Sequence, residues 1–191
     1  MKDPIERRGL SKKFWEKKPL TAMSQAEWEA LCDGCGKCCL NKLEDPDSGE
    51  VALTRVACRL LDDSNCRCAQ YDIRHQFIPE CIVLSPSNID SHAYWMPKTC
   101  AYRLLWEGKP LFDWHPLISG RAESVHEAGV SVQDIPYLNG RFLKRNGKTI
   151  LSRSHCKCFS RLTMPARSTL RSWRPLPVPI QATQAAMAMI L

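Results

Sequence analysis

Cys32-Asp-Gly-Cys35-Gly-Lys-Cys38-Cys39 decides how this chain is read, because it packs four potential thiolate ligands into eight residues. Five more cysteines follow at close intervals, Cys58, Cys66, Cys68, Cys81 and Cys100, so nine of the eleven thiols lie between residues 32 and 100. A regular helix turns about 100° per residue, so it would align Cys32, Cys35 and Cys39 and point Cys38 away. Gly34 and Gly36 permit left-handed backbone instead, and the segment can then wrap and offer N–H groups to sulfur. Adjacent side chains diverge in any ordinary backbone. Cys38 and Cys39 are therefore expected to serve different ions, or one of them to serve none.

Four thiolates satisfy one tetrahedral zinc or one cubane cluster, so the nine central cysteines allow two sites with one thiol to spare. The spacing does not select the metal. A zinc ribbon needs two Cys-x-x-Cys knuckles, and here the second half is Cys66-x-Cys68. A bacterial ferredoxin run is obeyed by Cys32, Cys35 and Cys38 and then broken. Taken singly, Cys81 or Cys100 would read as a buried hydrophobe, but nine such residues together read as a metal centre. His75 and His115 are expected to be structural or surface histidines, given so many thiols. No Ser-His-Asp set, phosphate-binding glycine loop or His-Glu-x-x-His motif is present, which argues against an ordinary hydrolase or nucleotide enzyme.

Upstream of the motif, Ser24 stands three residues before Glu27, the signature of a capping box, with Met23 placed to staple onto Trp28. A helix is expected from Ser24 to about Cys32. Downstream, Asp45-Pro-Asp-Ser-Gly49 reads as a turn, and 50–57 as a short strand with Val51 and Leu53 on one face, delivering Cys58. A second turn is assigned to Asp62 to Asn65. In extended backbone Cys66 and Cys68 share a face and form a pincer. Residues 99–107 read as an amphipathic helix closed by Gly108, with Cys100 in its first turn, where thiolate is favoured. Residues 114–120 read as a packed loop and 123–128 as a modest helix. Trp95, Trp106 and Trp114 are assigned to the core.

The formal charge of +7 is unevenly spread. Residues 1–20 carry seven Lys/Arg against three Asp/Glu, residues 141–191 carry ten against none, and the middle is negative. That middle would repel phosphate, so nucleic acid is not supported as a partner, while the basic ends suit a protein partner. The expected organisation is a basic arm over 1–20, a cysteine-rich metal-binding domain over 21–134, and a basic tail over 135–191. The tail lacks acids from residue 141, is expected to be disordered, and leaves Cys156 and Cys158 outside the centre. No secretory leader and no run of about 18 apolar residues is read, which points to the cytoplasm, where dense thiols hold metal rather than form disulfides.

CDGCGKCC, VACRLLDDSNCRCAQYDIR with PECIVL, and WMPKTCAYRLLWEGKPLFDWHPL resemble the YcgN-like bacterial family, with its Cys-x-x-Cys-x-x-Cys-Cys domain described as zinc- or iron-chelating. The resemblance covers about residues 11–134. It implies metal ligands at Cys32, Cys35, Cys38, Cys39, Cys58, Cys66, Cys68 and Cys81, with Cys100 as the subfamily's additional cysteine. It implies no reaction. The whole reading is a small, irregular, metal-stabilised α+β domain of short helices and a short strand pair, chelating zinc or iron. The alternative is a redox or catalytic protein built on an iron–sulfur cluster.

Overall fold

A computed structural model of the chain describes residues 5–62 and 64–133, together with the backbone of 144–145, 148–149 and 174–175. Its elements run α1 (Phe14–Lys17), α2 (Gln25–Ala30), β1 (Leu40–Glu44), β2 (Val51–Ala57), β3 (Leu61–Asp62), β4 (Arg67–Cys68), α3 (Arg74–Phe77), α4 (Ile89–His92), α5 (Ala101–Trp106), α6 (Pro116–Ser119) and α7 (Ser124–Glu127). The fold is a small α+β one, with short helices and little sheet. The structure falls into two compact units. Among the described residues, the first comprises 5–38, 64–67 and 83–133, and the second 39–62 and 68–82.

In the first unit, Ser24 caps α2 with its hydroxyl on the Glu27 N–H, and Glu27 returns the bond to the Ser24 N–H, the expected capping box. The helix ends at Ala30, two residues earlier than expected, and the chain then reaches Gly34 and Gly36 with φ of 83° and 72°. Trp28 forms the centre of this unit's core. Its indole N–H donates to Leu84 O at 3.0 Å, and its ring stands 4.7 Å from that of Tyr102, whose hydroxyl donates to Trp28 O at 3.0 Å. These bonds satisfy both polar handles while the aromatic bodies are buried, which is what large amphipathic rings need inside a protein. Phe14 on α1 is also fully buried.

In the second unit, Asp45 Oδ1 accepts the N–H groups of Asp47 and Ser48, and Gly49 at φ 69° closes the turn between β1 and β2. The strands pair antiparallel with Leu43 opposite Ala52 and Lys42 opposite Leu53. The register then slips to Leu40 opposite Ala57, so β2 carries two extra residues. The face of β2 that is buried is Ala52 and Thr54, not Val51 and Leu53. Alternation shows which residues share a face but not which face turns inward, and here the bulk comes from Leu40 and Leu43 of β1. Arg174–Pro175 also pair with β1, and Lys144–Arg145 pair with Lys148–Thr149. The rest of the expected tail, Cys156 and Cys158 included, lies outside the described residues.

Three expectations change. Residues 116–119 form α6, with Pro116 in its first turn and Gly120 at φ 72° closing it, where a loop was expected. Asp62 lies in β3, and Asn65 rather than Asp62 shapes the following turn by accepting the Arg67 N–H. Of the three tryptophans assigned to the core, Trp95 is buried, Trp114 is half-buried and Trp106 is 47% exposed. Gly108 does close α5, at φ 69°. Among the described residues no helix is long and apolar enough to cross a membrane.

Candidate metal centre

Nine cysteines reach the described part of the chain, all as thiols rather than disulfides. The boundary between the units falls between Cys38 and Cys39, so the adjacent pair is divided between them. Cys32, Cys35, Cys38, Cys66 and Cys100 belong to the first unit, and Cys39, Cys58, Cys68 and Cys81 to the second. Cys66 and Cys68 are divided as well. Cys66 adopts φ 57°, a left-handed conformation rare for a residue with a Cβ, so the extended Cys-x-Cys pincer does not form.

In the first unit Cys35 is 6% exposed, Cys32 and Cys100 are partly covered, and Cys38 is exposed. Burial pushes the Cys32 thiol up to about 11, with Asp33 and Cys38 adding to the rise and Arg67 opposing it. Burial likewise pushes Cys35 and Cys100 well above the ordinary thiol value, and Asp33 and Cys38 again contribute to both. Cys35 also responds to Cys100, and Cys100 to Cys32. These four thiols thus share one electrostatic neighbourhood that disfavours thiolate unless a cation is supplied.

The scaffold around them is specific. Arg67 Nη1 donates to Cys32 Sγ at 3.4 Å, and a Cβ on Gly34, itself at φ 83°, would stand 2.6 Å from the Arg67 guanidinium and push the end of that side chain aside. Arg7 donates to Ala30 O and to Cys32 O, the latter at 2.6 Å. His115, 1% exposed, places one ring nitrogen 3.0 Å from Leu31 O while the other accepts the Leu117 N–H at 3.1 Å. Both nitrogens are spent on backbone, so His115 is structural, as expected; burial lowers its pKa and keeps it neutral. His75 is exposed. We expect His115→Ala to cost about 2–3 kcal/mol in denaturant unfolding, from lost packing and two abandoned backbone groups. A cost under about 0.5 kcal/mol would contradict that role.

In the second unit Cys58 N–H donates to Cys39 O at 2.8 Å, tying the entry of β1 to the exit of β2. Burial raises the Cys81 thiol, Arg74 opposes this by charge and hydrogen bond, and Cys58 and Cys68 raise it further. Lys42, 1% exposed, points its Nζ to Leu40 O at 2.8 Å in the same unit.

As placed, no three His, Cys, Asp or Glu side chains among the described residues already converge closely enough to hold an ion. The donors nevertheless suit a soft or borderline cation: buried thiols with Arg donors beside them, and at Asp33 a buried carboxylate oxygen, Oδ2, without a hydrogen-bond partner. Asp33 and the arginines that contact Cys32, Arg7 and Arg67, were not singled out from the sequence. Only Asp33 carried a signal, by lying inside the motif.

The family described as "Putative zinc- or iron-chelating domain", named CxxCxxCC, matches residues 31–101. A UPF0260 protein of Rhodobacter capsulatus is 64% identical over 63% of this chain and 80% of its own length. Similar proteins of Cellvibrio japonicus and Rhizorhabdus wittichii are each 60% identical, over 62% and 64% of this chain and 80% and 83% of theirs. No solved structure matches. With two thirds or more of these relatives covered at such identity, the chain belongs to the UPF0260 family.

Proposed function

We propose that this chain is a thiolate metal-binding protein that holds zinc or iron in two centres, one drawing on Cys32, Cys35, Cys38 and Cys100 and the other on Cys39, Cys58, Cys68 and Cys81. What carries this reading is the division of the cysteines between the two units, with electrostatic coupling among the thiols within each. Four thiolates are what one tetrahedral zinc or one cluster takes up, so each unit holds the donors for one. Cys66 is the thiol to spare. The cysteine that the resemblance made additional, Cys100, is a ligand in this reading.

The residues have definable work whichever metal is bound. Thiols must lose their protons to bind, and Arg67 beside Cys32 and Arg74 beside Cys81 stabilise the negative sulfur and limit the net charge of the loaded site. The bound ion would supply structural cross-linking if zinc or mononuclear iron, and electron transfer if an iron–sulfur cluster. Chelation in the cytoplasm, for structure, storage or delivery to a protein partner, is the role proposed.

The test is elemental analysis with thiolate-to-metal absorption on protein purified without oxygen. Two ions or two clusters per chain are expected, with Cys100→Ser and Cys81→Ser each losing one and Cys66→Ser losing neither. A colourless zinc protein supports chelation, and a brown one the cluster reading. One ion lost equally to all three substitutions would overturn the two-centre arrangement.

A further inference from the structure

We propose that the groove between the N-terminal arm and α6 docks an acidic segment of a protein partner, with carboxylates flanking one aliphatic side chain. The groove lies wholly within the first unit, and the inference goes beyond the metal-binding reading, since it holds whichever metal is bound. Its volume is about 800 Å³, room for a drug-sized ligand or a short stretch of peptide. Leu10 and Trp15 of the arm and Pro116 and Leu117 of α6 supply its apolar lining. Both sides are held in shape. On the arm, Phe14 is fully buried and Arg7 donates to Ala30 O and Cys32 O. On the other side, His115 accepts the Leu117 N–H at the start of α6, and Gly120 closes that helix. Walls fixed in advance lose little freedom when something seats on them.

Charge says what seats there. The lining residues include four cations, Arg7, Arg8, Lys12 and Lys13, against one carboxylate, Glu6. Arg7 is turned onto its two carbonyls, whereas Arg8, Lys12 and Lys13 are exposed. Arg8 pairs with Glu6 and Lys13 with Glu16, but both pairs are exposed and weakened by water, so either cation can be recruited. Lys12 enters no ion pair among the described residues. An apolar strip rimmed by uncompensated cations is complementary to an acidic segment with an apolar anchor. The chain's own tail does not supply one, because residues 141–191 carry ten Lys/Arg and no acid. A single-stranded nucleic acid is also a poor match: with Phe14 buried, Trp15 alone offers a ring, and successive bases would find no stacking platform.

The experiment measures fluorescence anisotropy of a labelled peptide, Glu-Glu-Leu-Glu-Glu, titrated with the full chain at low ionic strength. Saturable binding is expected, and none by the same peptide with lysine in place of glutamate. An Arg8→Glu and Lys12→Glu double variant should bind about tenfold more weakly or worse, with unchanged circular dichroism because both side chains are exposed. Leu117→Ser should weaken binding about threefold or more through the lost apolar contact. Lys12→Glu alone, expected to give part of the loss, keeps the test decisive should the double variant fail to fold. Wild-type affinity in the folded charge-reversed variants, or equal binding of the lysine peptide, would overturn the inference. So would a pentauridylate that binds more tightly than the acidic peptide, since the groove would then be a nucleic-acid surface. Metal content of the same samples bears separately on the metal-binding reading.

Discussion

Chelating the metal, or replacing Cys35 with serine, is expected to lower helical circular dichroism together with metal content. The helices among the described residues are four to six residues long, and isolated helices shorter than about 12–15 residues do not persist in water. The β1–β2 ladder is similarly short, and a lone two-stranded ribbon is marginal at best. Such elements need cross-links, and structural zinc supplies on the order of 10 kcal/mol, comparable to the whole stability of a small domain. Cys35 is the sharpest single site because it is 6% exposed and its carbonyl accepts the Val132 N–H at 2.8 Å. Serine there would remove one of the proposed ligands and bury a hydroxyl in place of the thiol. The expected result is loss of one metal equivalent and of most helical signal, with the unfolding midpoint of the remainder falling steeply. A Cys35→Ser protein with full dichroism and one ion missing would show that the ion is cargo and not a structural cross-link.

How much of this was legible in the sequence depended on whether the signal was local. The Ser24 capping box, the Gly49 turn and the Gly108 stop are decided within five residues, and each stands as read. The left-handed glycines of the motif also stand, because two glycines within three residues between cysteines leave few alternatives. The partner strand β1 was not located, since Leu40-Asn-Lys-Leu-Glu44 does not alternate and buries a lysine. The Cys66–Cys68 pincer failed because its premise was extended backbone, whereas Cys66 is left-handed with Gly36 close against it. The grouping of Cys100 with Cys32, Cys35 and Cys38 could not be read at all. It depends on chain segments more than 60 residues apart being folded into one unit, and no local pattern encodes that.

Gly36→Ala is the second substitution expected to have a large effect, and it tests the wrapping of the motif separately from its sulfur. Gly36 sits at φ 72°, where a side chain costs about 1–2 kcal/mol in any setting. An added Cβ would also lie 2.6 Å from Val132 Cγ2 and 3.0 Å from Cys66 Cβ, both too close. Neither neighbour can yield cheaply: Val132 is held by its N–H on Cys35 O, and Cys66 is already in a conformation that tolerates little adjustment. Overpacking of this kind adds about 1–3 kcal/mol, so the total is about 2–5 kcal/mol in denaturant unfolding of the metal-loaded protein. Gly49→Ala separates the two contributions, because Gly49 has nearly the same φ, 69°, and nothing within 4 Å of an added Cβ. It should cost the backbone part alone, about 1–2 kcal/mol. Combining Gly36→Ala with Val132→Ala should recover part of the excess, since the two sites touch and are not expected to be additive. Equal costs for the alanines at 36 and 49 would mean that the motif does not wrap against Val132 and Cys66. The geometry offered here for the first centre would then be wrong.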